Sequence, residues 1–281
     1  MYQFPIGIML DSLRTDAASA IQKAAELGAN GLQMYATSGE FAPENMSAQK
    51  RRELLDMVKS HGLVFSALCG DLGQGFGNAE QNPALIEKSK RILDLAKDLE
   101  TNVVTTHIGV IPSDCKHPRY AVMQAACAEL SRYADSIDAH FAVETGPEPA
   151  ETLKNFLDSL GSHGVAVNLD PANFVMVTGD DPVRAVYTLR DYIVHTHAKD
   201  GIKLADGDPE AIYGVIEDVI QAGDYFRELP LGEGDVPFAD YLHALEDIGY
   251  LGFLTIEREV GENPAQDIAL AIKFLHAQMG E

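Results

Sequence analysis

The sequence predicts an α/β fold, a single (β/α)8 barrel in which eight parallel strands alternate with helices. Short apolar runs alternate with longer segments whose apolar residues recur at three- and four-residue spacing, the pattern of strands alternating with amphipathic helices. The strand candidates number eight, which closes such a barrel, and 281 residues is an ordinary length for it. An open, doubly wound parallel sheet is the alternative.

The elements follow in order along the chain. The strand candidates are PIGIML (5–10), GLQMYA (31–36), LVFSAL (63–68), NVVTTHI (102–108), HFAVET (140–145), VAVNLD (165–170), IVHTHA (193–198) and FLTIER (253–258). Helical patterns such as TDAASAIQKAAELG lie between them, and Gly28 and Gly62 stand where glycine suits a helix C-terminus. Because no low-complexity linker interrupts the series, we expect one domain over residues 1–281.

The last two strand candidates are much farther apart than the others. The extra chain predicts an extended loop and helix insertion at about 200–238. It contains a helix candidate at 208–220 and a segment rich in Gly and Pro at 223–238. Loops that follow barrel strands lie at the C-terminal face, so we expect the segment 223–238 to close over a site there.

Charge and composition narrow the classes of partner. The chain has 21 Lys and Arg against 43 Asp and Glu, a net charge of -22, which repels nucleic acid and anionic membranes. No apolar run approaches the ~18 residues of a membrane span, and the N-terminus does not resemble a signal peptide. Three cysteines without a CxxC pair suit a reducing compartment. We therefore expect a cytoplasmic location and a small-molecule partner, and a homo-oligomer stays open.

Ionisable side chains end four successive strand candidates. Glu144, Asp170, His197 and Glu257 share one parity along their strands, so they point to the same side of the sheet. The residues two positions earlier are small or polar, as a barrel interior below a polar site requires: Ala142, Asn168, His195 and Thr255. Of these, His195 is expected to be a hydrogen-bonded histidine one layer deeper.

Three carboxylates that meet at one point repel one another unless a cation joins them. Oxygen-rich ligation with one imidazole nitrogen suits Mn²⁺, Mg²⁺, Co²⁺ or Zn²⁺. Neutralisation by ion pairs is the alternative, but only Lys199, Arg258 and Lys203 lie nearby in sequence. We therefore predict a divalent metal bound by the four strand-end residues.

Other residues are weaker candidates for substrate contacts. His107 ends the fourth strand at the inward parity, Asn173 follows the Asp170 strand end, Lys199 begins a loop, and Glu233 lies in the long insertion. Each also has a plain structural interpretation as a satisfied histidine, a turn residue or a solvated charge. The glycine-rich run GQGFG (73–77) resembles a phosphate-cradling loop but does not match GxGxxG, so a flexible loop is the preferred interpretation and a phosphate cradle the alternative.

The motifs FAVETG, VNLDPANF, VHTHAKDG, PLGEGDVPF and FLTIERE resemble the xylose isomerase-like (β/α)8 barrels. That resemblance implies a metal-dependent isomerase or epimerase of a sugar, sugar phosphate or related polyol, acting through an enediolate and often using Mn²⁺. It also implies that Glu144 and Glu257 move protons as well as bind the metal. Many members have His three residues after the Asp ligand, whereas this chain has Asn173, which leaves the substrate open.

Three other functions remain as alternatives. A dehydratase of a keto-polyol, such as inosose or dehydroshikimate, would use the same enediolate and expel a β-hydroxyl as water. A phosphodiester hydrolase, like the endonuclease branch of the family, would need a metal cluster and contacts to DNA, which the acidic charge and the lack of further His-rich strand ends oppose. A non-catalytic sugar binder would bind ligand without turnover.

Overall fold

Eight of the strands form a closed, all-parallel barrel. The computed structural model describes residues 3–215 and 225–280. In chain order its strands are β1 (Ile6–Met9), β2 (Gly31–Tyr35), β3 (Val64–Cys69), β4 (Val103–Thr106), β5 (His140–Glu144), β6 (Val165–Leu169), β7 (Ile193–Ala198), β8 (Asp200–Lys203), β9 (Phe226–Leu229) and β10 (Leu254–Ile256). The barrel order is β1-β10-β7-β6-β5-β4-β3-β2. The predicted (β/α)8 fold and all eight predicted strands are confirmed.

Long helices cover the outside of the barrel, and two short ones lie at its mouth. They are α1 (Ala17–Leu27), α2 (Ala48–Ser60), α3 (Asn82–Asp98), α4 (Pro118–Ser136), α5 (Ala150–Asp158), α6 (Pro171–Asn173), α7 (Pro182–Leu189), α8 (Pro209–Ile212), α9 (Phe238–Asp247) and α10 (Pro264–Met279). Two of them, α6 and α8, are single turns, and a π-helical turn, Phe174–Thr178, follows α6. No helix in the described part of the chain is long and apolar enough to cross a membrane.

The helix limits follow from capping chemistry. Asp16 begins α1, where its side chain accepts a hydrogen bond from the backbone N–H of Ser19. Gly28 ends the same helix in the left-handed conformation, at φ 87°, which glycine adopts without the steric penalty of a side chain. The buried face of α1, with Ile21 and Ala24 at three-residue spacing, packs against the barrel. The capping residues and the spacing of the apolar residues thus indicate the same helix, which the structure confirms.

The interior of the barrel is polar beneath the C-terminal ends of the strands. Ser66 Oγ lies 3.3 Å from Thr255 Oγ1, and the side-chain amide of Gln33 donates to Thr105 Oγ1 at 2.9 Å. Position 7 on β1 requires glycine, because a Cβ there would lie 2.5 Å from Thr255 Oγ1. This hydrogen-bonded layer supports the side chains that stand above it.

The insertion between β7 and α9 contains secondary structure that the sequence did not predict. Strands β8 and β9 form an antiparallel hairpin with Asp200 opposite Leu229, where only loop was expected. The helix predicted at 208–220 is the single turn α8 in the described residues, and Gly214 follows it at φ 69°. Residues 216–224, which include the end of that predicted helix and the start of the segment 223–238, lie outside the described residues.

One carboxylate joins the two ends of the insertion. Asp200 accepts hydrogen bonds from four backbone N–H groups, at 2.9–3.1 Å. The donors are Gly201, Gly232, Gly234 and Val236. Because these bonds hold the turn after β9 against the start of β8, Asp200 is a structural residue of the insertion.

Candidate metal centre and its cavity

The four predicted strand-end residues meet at the C-terminal mouth of the barrel. Glu144, Asp170, His197 and Glu257 each offer one ligand atom, and these atoms all lie within 4.8 Å of one another. All four side chains are buried. They come from four adjacent barrel strands, β5, β6, β7 and β10, and their alternation along the strands turns them inward together.

The imidazole of His197 lies at the centre of this group. Its Nδ1 is 3.7 Å from Glu144 Oε2, 3.6 Å from Asp170 Oδ2 and 3.4 Å from Glu257 Oε2. Burial disfavours a charged imidazole, but the carboxylates of Glu257 and Glu144 outweigh it and raise the pKa of His197 well above its ordinary value. The group is therefore a strong site for positive charge.

Gln33 orients the imidazole of His197 from the far side. Its Oε1 lies 3.1 Å from His197 Nε2, while its own amide nitrogen donates to Thr105. Since the amide oxygen can only accept, this arrangement places a proton on Nε2, so Nδ1 is the nitrogen that would bind a metal when one replaces its proton. Sequence reasoning missed Gln33, although its place in the apolar run GLQMY was a signal.

Asp170 supplies the clearest test of whether a cation fits. Its Oδ1 accepts the backbone N–H groups of Ala172 and Asn173, at 2.8 and 3.1 Å. Its Oδ2 is buried and has no hydrogen-bond partner in the described residues. A buried carboxylate oxygen without a partner is costly, and it faces three other ligand atoms. The donor set of three carboxylates and one imidazole therefore fits a divalent metal.

The carboxyls of Glu144 and Glu257 have different surroundings. Burial acts to raise the pKa of Glu144, but the imidazoles of His107 and His197 outweigh it and hold that pKa well below the ordinary range. At Glu257 burial prevails over the attraction of Lys199 and raises the pKa. Two neighbouring carboxyls whose environments separate their proton affinities are suited to opposite roles in proton transfer.

Of the basic residues close in sequence, Lys199 alone reaches the cluster. Its ammonium donates to Glu257 Oε2 at 2.9 Å. Arg258 pairs with Glu228 instead, and Lys203 pairs with Asp206. Because this one ammonium also pairs with Glu259, ion pairs with the lysines and arginines close in sequence do not neutralise three carboxylates.

Two further histidines lie beside the cluster. His107 Nδ1 is 3.1 Å from Asp71 Oδ2, and its Nε2 is 3.7 Å from Glu144 Oε1. Burial opposes the charged imidazole, but Glu144 and Asp71 raise the pKa of His107 to about 9. His195 lies one layer deeper, hydrogen-bonded at both ring nitrogens to Asn168 and Thr255 at 2.9 Å. It thus has the structural role that its position predicted.

A cavity of about 250 Å³ opens above the cluster. His107, Asn173 and Lys199 line it, and Asn173 Nδ2 donates to Glu144 Oε1 at 3.1 Å. The insertion contributes four lining residues: Ile212, Tyr213, Phe226 and Glu228. Glu233 is exposed and does not line the cavity, because the hydrogen bonds of Asp200 to its neighbours hold that turn against β8. The structure therefore brings seven of the eight predicted site residues together.

Comparison with known proteins identifies the family. The family model described as "Xylose isomerase-like TIM barrel" matches residues 21–278, nearly the whole chain. The chain belongs to the xylose isomerase-like TIM barrel family. The resemblance inferred from the strand-end motifs is therefore confirmed. No curated protein sequence matches this member of the family.

Solved structures share the barrel of this family. A xylose isomerase domain protein from Planctomyces limnophilus has a TM-score of 0.80 at 24% identity, with 99% of this chain and 96% of that chain covered. The probable 3-DHS dehydratase AsbF from Bacillus anthracis has a TM-score of 0.76 at 20% identity, covering 97% and 98%. D-psicose 3-epimerase from Clostridium cellulolyticum H10 has 0.73 at 16%, covering 98% and 99%. At these identities the likeness concerns the fold.

Proposed function

We propose that this protein is a divalent-metal-dependent isomerase or epimerase of a sugar or related polyol. The observation that carries the proposal is the buried set of Glu144, Asp170, His197 and Glu257, whose ligand atoms lie within 4.8 Å of one another beneath an open cavity. Mn²⁺ is the preferred ion, with Mg²⁺, Co²⁺ and Zn²⁺ as alternatives. When bound, the cation would act as a Lewis acid that stabilises negative charge on substrate oxygens. The epimerases among similar structures support this reaction class.

Glu144 and Glu257 would move the proton. One carboxylate removes the proton from the carbon beside the substrate carbonyl, which leaves an enediolate, and the other group, as a carboxylic acid, returns a proton to the opposite face. Their strands, β5 and β10, are separated in the barrel by β6 and β7, so the two groups approach the cavity from different sides. Return of the proton to the neighbouring carbon would give isomerisation instead.

Three neutral or cationic side chains would hold the substrate between these carboxyls. Lys199 reaches the cavity beside Glu257, and its ammonium can donate to a sugar oxygen. His107 lies beside Glu144 and offers a further donor, and Asn173, whose amide nitrogen already donates to Glu144 and to the carbonyl of Thr145, would offer its amide oxygen as an acceptor. Glu233, also predicted as a substrate contact, lies outside this cavity in the described conformation.

The test is solvent isotope exchange with purified protein loaded with Mn²⁺. A panel of ketoses, aldoses and keto-inositols in D₂O should show deuterium at the carbon beside the carbonyl for the true substrate class. Glu144→Gln and Glu257→Gln should each abolish exchange, because an amide cannot accept the proton. Full exchange in both variants, with metal retained, would refute the assignment.

The same panel separates the alternative functions. Loss of water from a keto-inositol or from dehydroshikimate would establish the dehydratase, which the similarity to AsbF favours as the second candidate. Cleavage of a phosphodiester would establish the hydrolase, although the described residues contain one metal-ligand group and not several. Saturable binding with neither exchange nor turnover would establish a sugar binder.

A further inference from the structure

A second cavity adjoins the one above the metal-ligand cluster. It measures about 530 Å³, roughly twice the first, and Asp71, His107 and Tyr213 line both. The rings of His107 and Tyr213 lie 5.9 Å apart at this shared edge. A ligand bound at the cluster could therefore extend into the second cavity, towards the loops after β3 and β4.

Glycines make one wall of this second cavity. The loop after β3 contributes Gly73, Gly75 and Gly77, and the loop after β4 contributes Gly109. Gly75 has a φ of 60°, and a Cβ there would lie 2.8 Å from the carbonyl oxygen of Ile108. The two loops can approach this closely because Gly75 and Gly109 have no side chains at the contact. The glycines also contribute backbone groups to the wall of the cavity.

The electrostatics of this wall favour an uncharged ligand. Among the described lining residues Arg119 is the one arginine or lysine, and its guanidinium is paired with Glu210. Asp71 stands at the shared edge and adds negative charge. A phosphate would meet an arginine paired with Glu210 and a protonated His107 paired with Asp71, an arrangement that lacks the uncompensated positive charge that phosphate sites use.

Arg119 nevertheless has one N–H group that could donate a hydrogen bond to an uncharged ligand. Its side chain lines the cavity, and its Nε, which lies beneath that surface, has no hydrogen-bond partner in the described residues. A buried N–H of this kind is costly until an acceptor arrives, and a sugar hydroxyl or ring oxygen is a suitable acceptor. The ring of Tyr213 at the shared edge provides an apolar face for the carbon–hydrogen surface of a sugar.

The volumes of the two cavities also favour a ligand larger than a single sugar ring. Small-molecule sites have volumes of roughly 300–1,000 Å³. The first cavity lies below this range, and the two adjoining cavities together fall within it. We propose that the second cavity is a subsite for a second uncharged ring, so that the substrate is a keto sugar linked to another sugar unit, not a free monosaccharide or a sugar phosphate. This inference rests on the proposed function of the adjoining site.

Matched ligands test the subsite by calorimetry on the Mn²⁺-loaded protein. The probes are D-fructose, D-fructose 6-phosphate, and the glucosyl-fructoses linked through O1, O3, O4, O5 or O6. The O6-linked disaccharide differs from the phosphate only in the group at that oxygen. We expect at least one disaccharide to bind about tenfold more tightly than fructose, as a hydrogen bond to a charged donor allows. Arg119→Leu should remove that gain and leave fructose binding unchanged, whereas Arg184→Leu, which breaks an exposed ion pair with Asp180, should change neither.

The outcomes separate this inference from the proposed function. Fructose or its phosphate binding as tightly as the best disaccharide would overturn the subsite. So would equal losses for all probes in Arg119→Leu. Deuterium exchange is measured on the same samples: tighter disaccharide binding without exchange would retain the subsite and contradict the proposed reaction, and exchange in fructose without any disaccharide gain would do the reverse.

Discussion

His197 Nε2 lies 3.1 Å from Gln33 Oε1, across the barrel from β7 to β2. Neither residue is near the other in sequence, and their strands are separated by β10 and β1 in the barrel order. The hydrogen bond holds the imidazole with Nδ1 toward the three carboxylates. A residue that never touches the metal would in this way control how well it binds.

Replacing Gln33 should therefore weaken metal binding without removing a ligand. Gln33→Leu is expected to lower the affinity for Mn²⁺ by about 10–100-fold, the usual effect of losing a group that orients a ligating histidine. Gln124→Leu, which removes an exposed amide hydrogen bond to Ser159, is the control. Equilibrium dialysis with metal analysis measures both. Equal affinity in Gln33→Leu and wild type would show that the barrel alone orients His197.

Asp170→Asn should have opposite effects with and without metal. The variant removes a buried charge whose Oδ2 has no hydrogen-bond partner in the described residues and lies beside the carboxylates of Glu144 and Glu257, so in EDTA its free energy of unfolding should rise by about 1–3 kcal/mol. With Mn²⁺ present, wild type should be stabilised and the variant should not. Thermal unfolding in the two buffers gives the comparison. Asp180→Asn, which loses bonds to Ala150 and Arg184, should be less stable in both.

Lys199→Met should destabilise the protein strongly. The ammonium is buried and contacts the buried carboxylate of Glu257 and the exposed one of Glu259, so its removal takes the closest cationic partner from the buried Glu257. A loss of about 3–5 kcal/mol is expected for breaking such a pair. Lys203→Met, which breaks a pair with the exposed Asp206, should change stability by no more than about 0.5 kcal/mol. Urea unfolding of the two variants decides it, and similar midpoints would contradict the prediction.

The stability of the protein should depend on pH through Glu148. This carboxyl is buried in the loop after β5, and burial raises its pKa from 4.5 to about 8, although the N–H of Ile111 and the nearby His107 act in the opposite direction. Folding therefore takes up a proton between these two pH values. The stabilisation is complete below about pH 4.5 and is lost as the pH rises through 8, at up to about 1.4 kcal/mol per pH unit.

Glu148→Gln should remove this contribution. Relative to wild type, the variant should become progressively more stable as the pH increases from 5 to 8, because an amide cannot ionise. Glu151→Gln, at an exposed position on α5, should follow the wild-type curve. Chemical unfolding at several pH values provides the curves. Parallel curves for Glu148→Gln and wild type would mean that the carboxyl ionises freely in the folded protein.

The sequence was sufficient for the barrel because apolar strands and amphipathic helices have distinct periods. Strand parity alone was enough to bring Glu144 and Glu257 to one point, since parallel strands end at the same face. Gln33 could not be assigned in this way, because its partner is set by the closure of the barrel and not by its own strand. The β8–β9 hairpin was missed because each strand has four residues, and its pairing depends on the tertiary contact of Asp200 with the turn beyond β9.

The barrel supplies the proposed metal ligands and the insertion supplies part of the cavity wall, so the two can be engineered separately. The proposed metal ligands stand on barrel strands, whereas Ile212, Tyr213, Phe226 and Glu228 reach the cavity from a segment whose two ends are held together by the carboxylate of Asp200. A designer could exchange residues 201–227 as a cassette and keep Asp200 with its backbone donors at 232, 234 and 236, and Glu228, which pairs with Arg258. Proteins made in this way would differ in the insertion residues that contact the substrate. They would share the same barrel and the same proposed metal ligands.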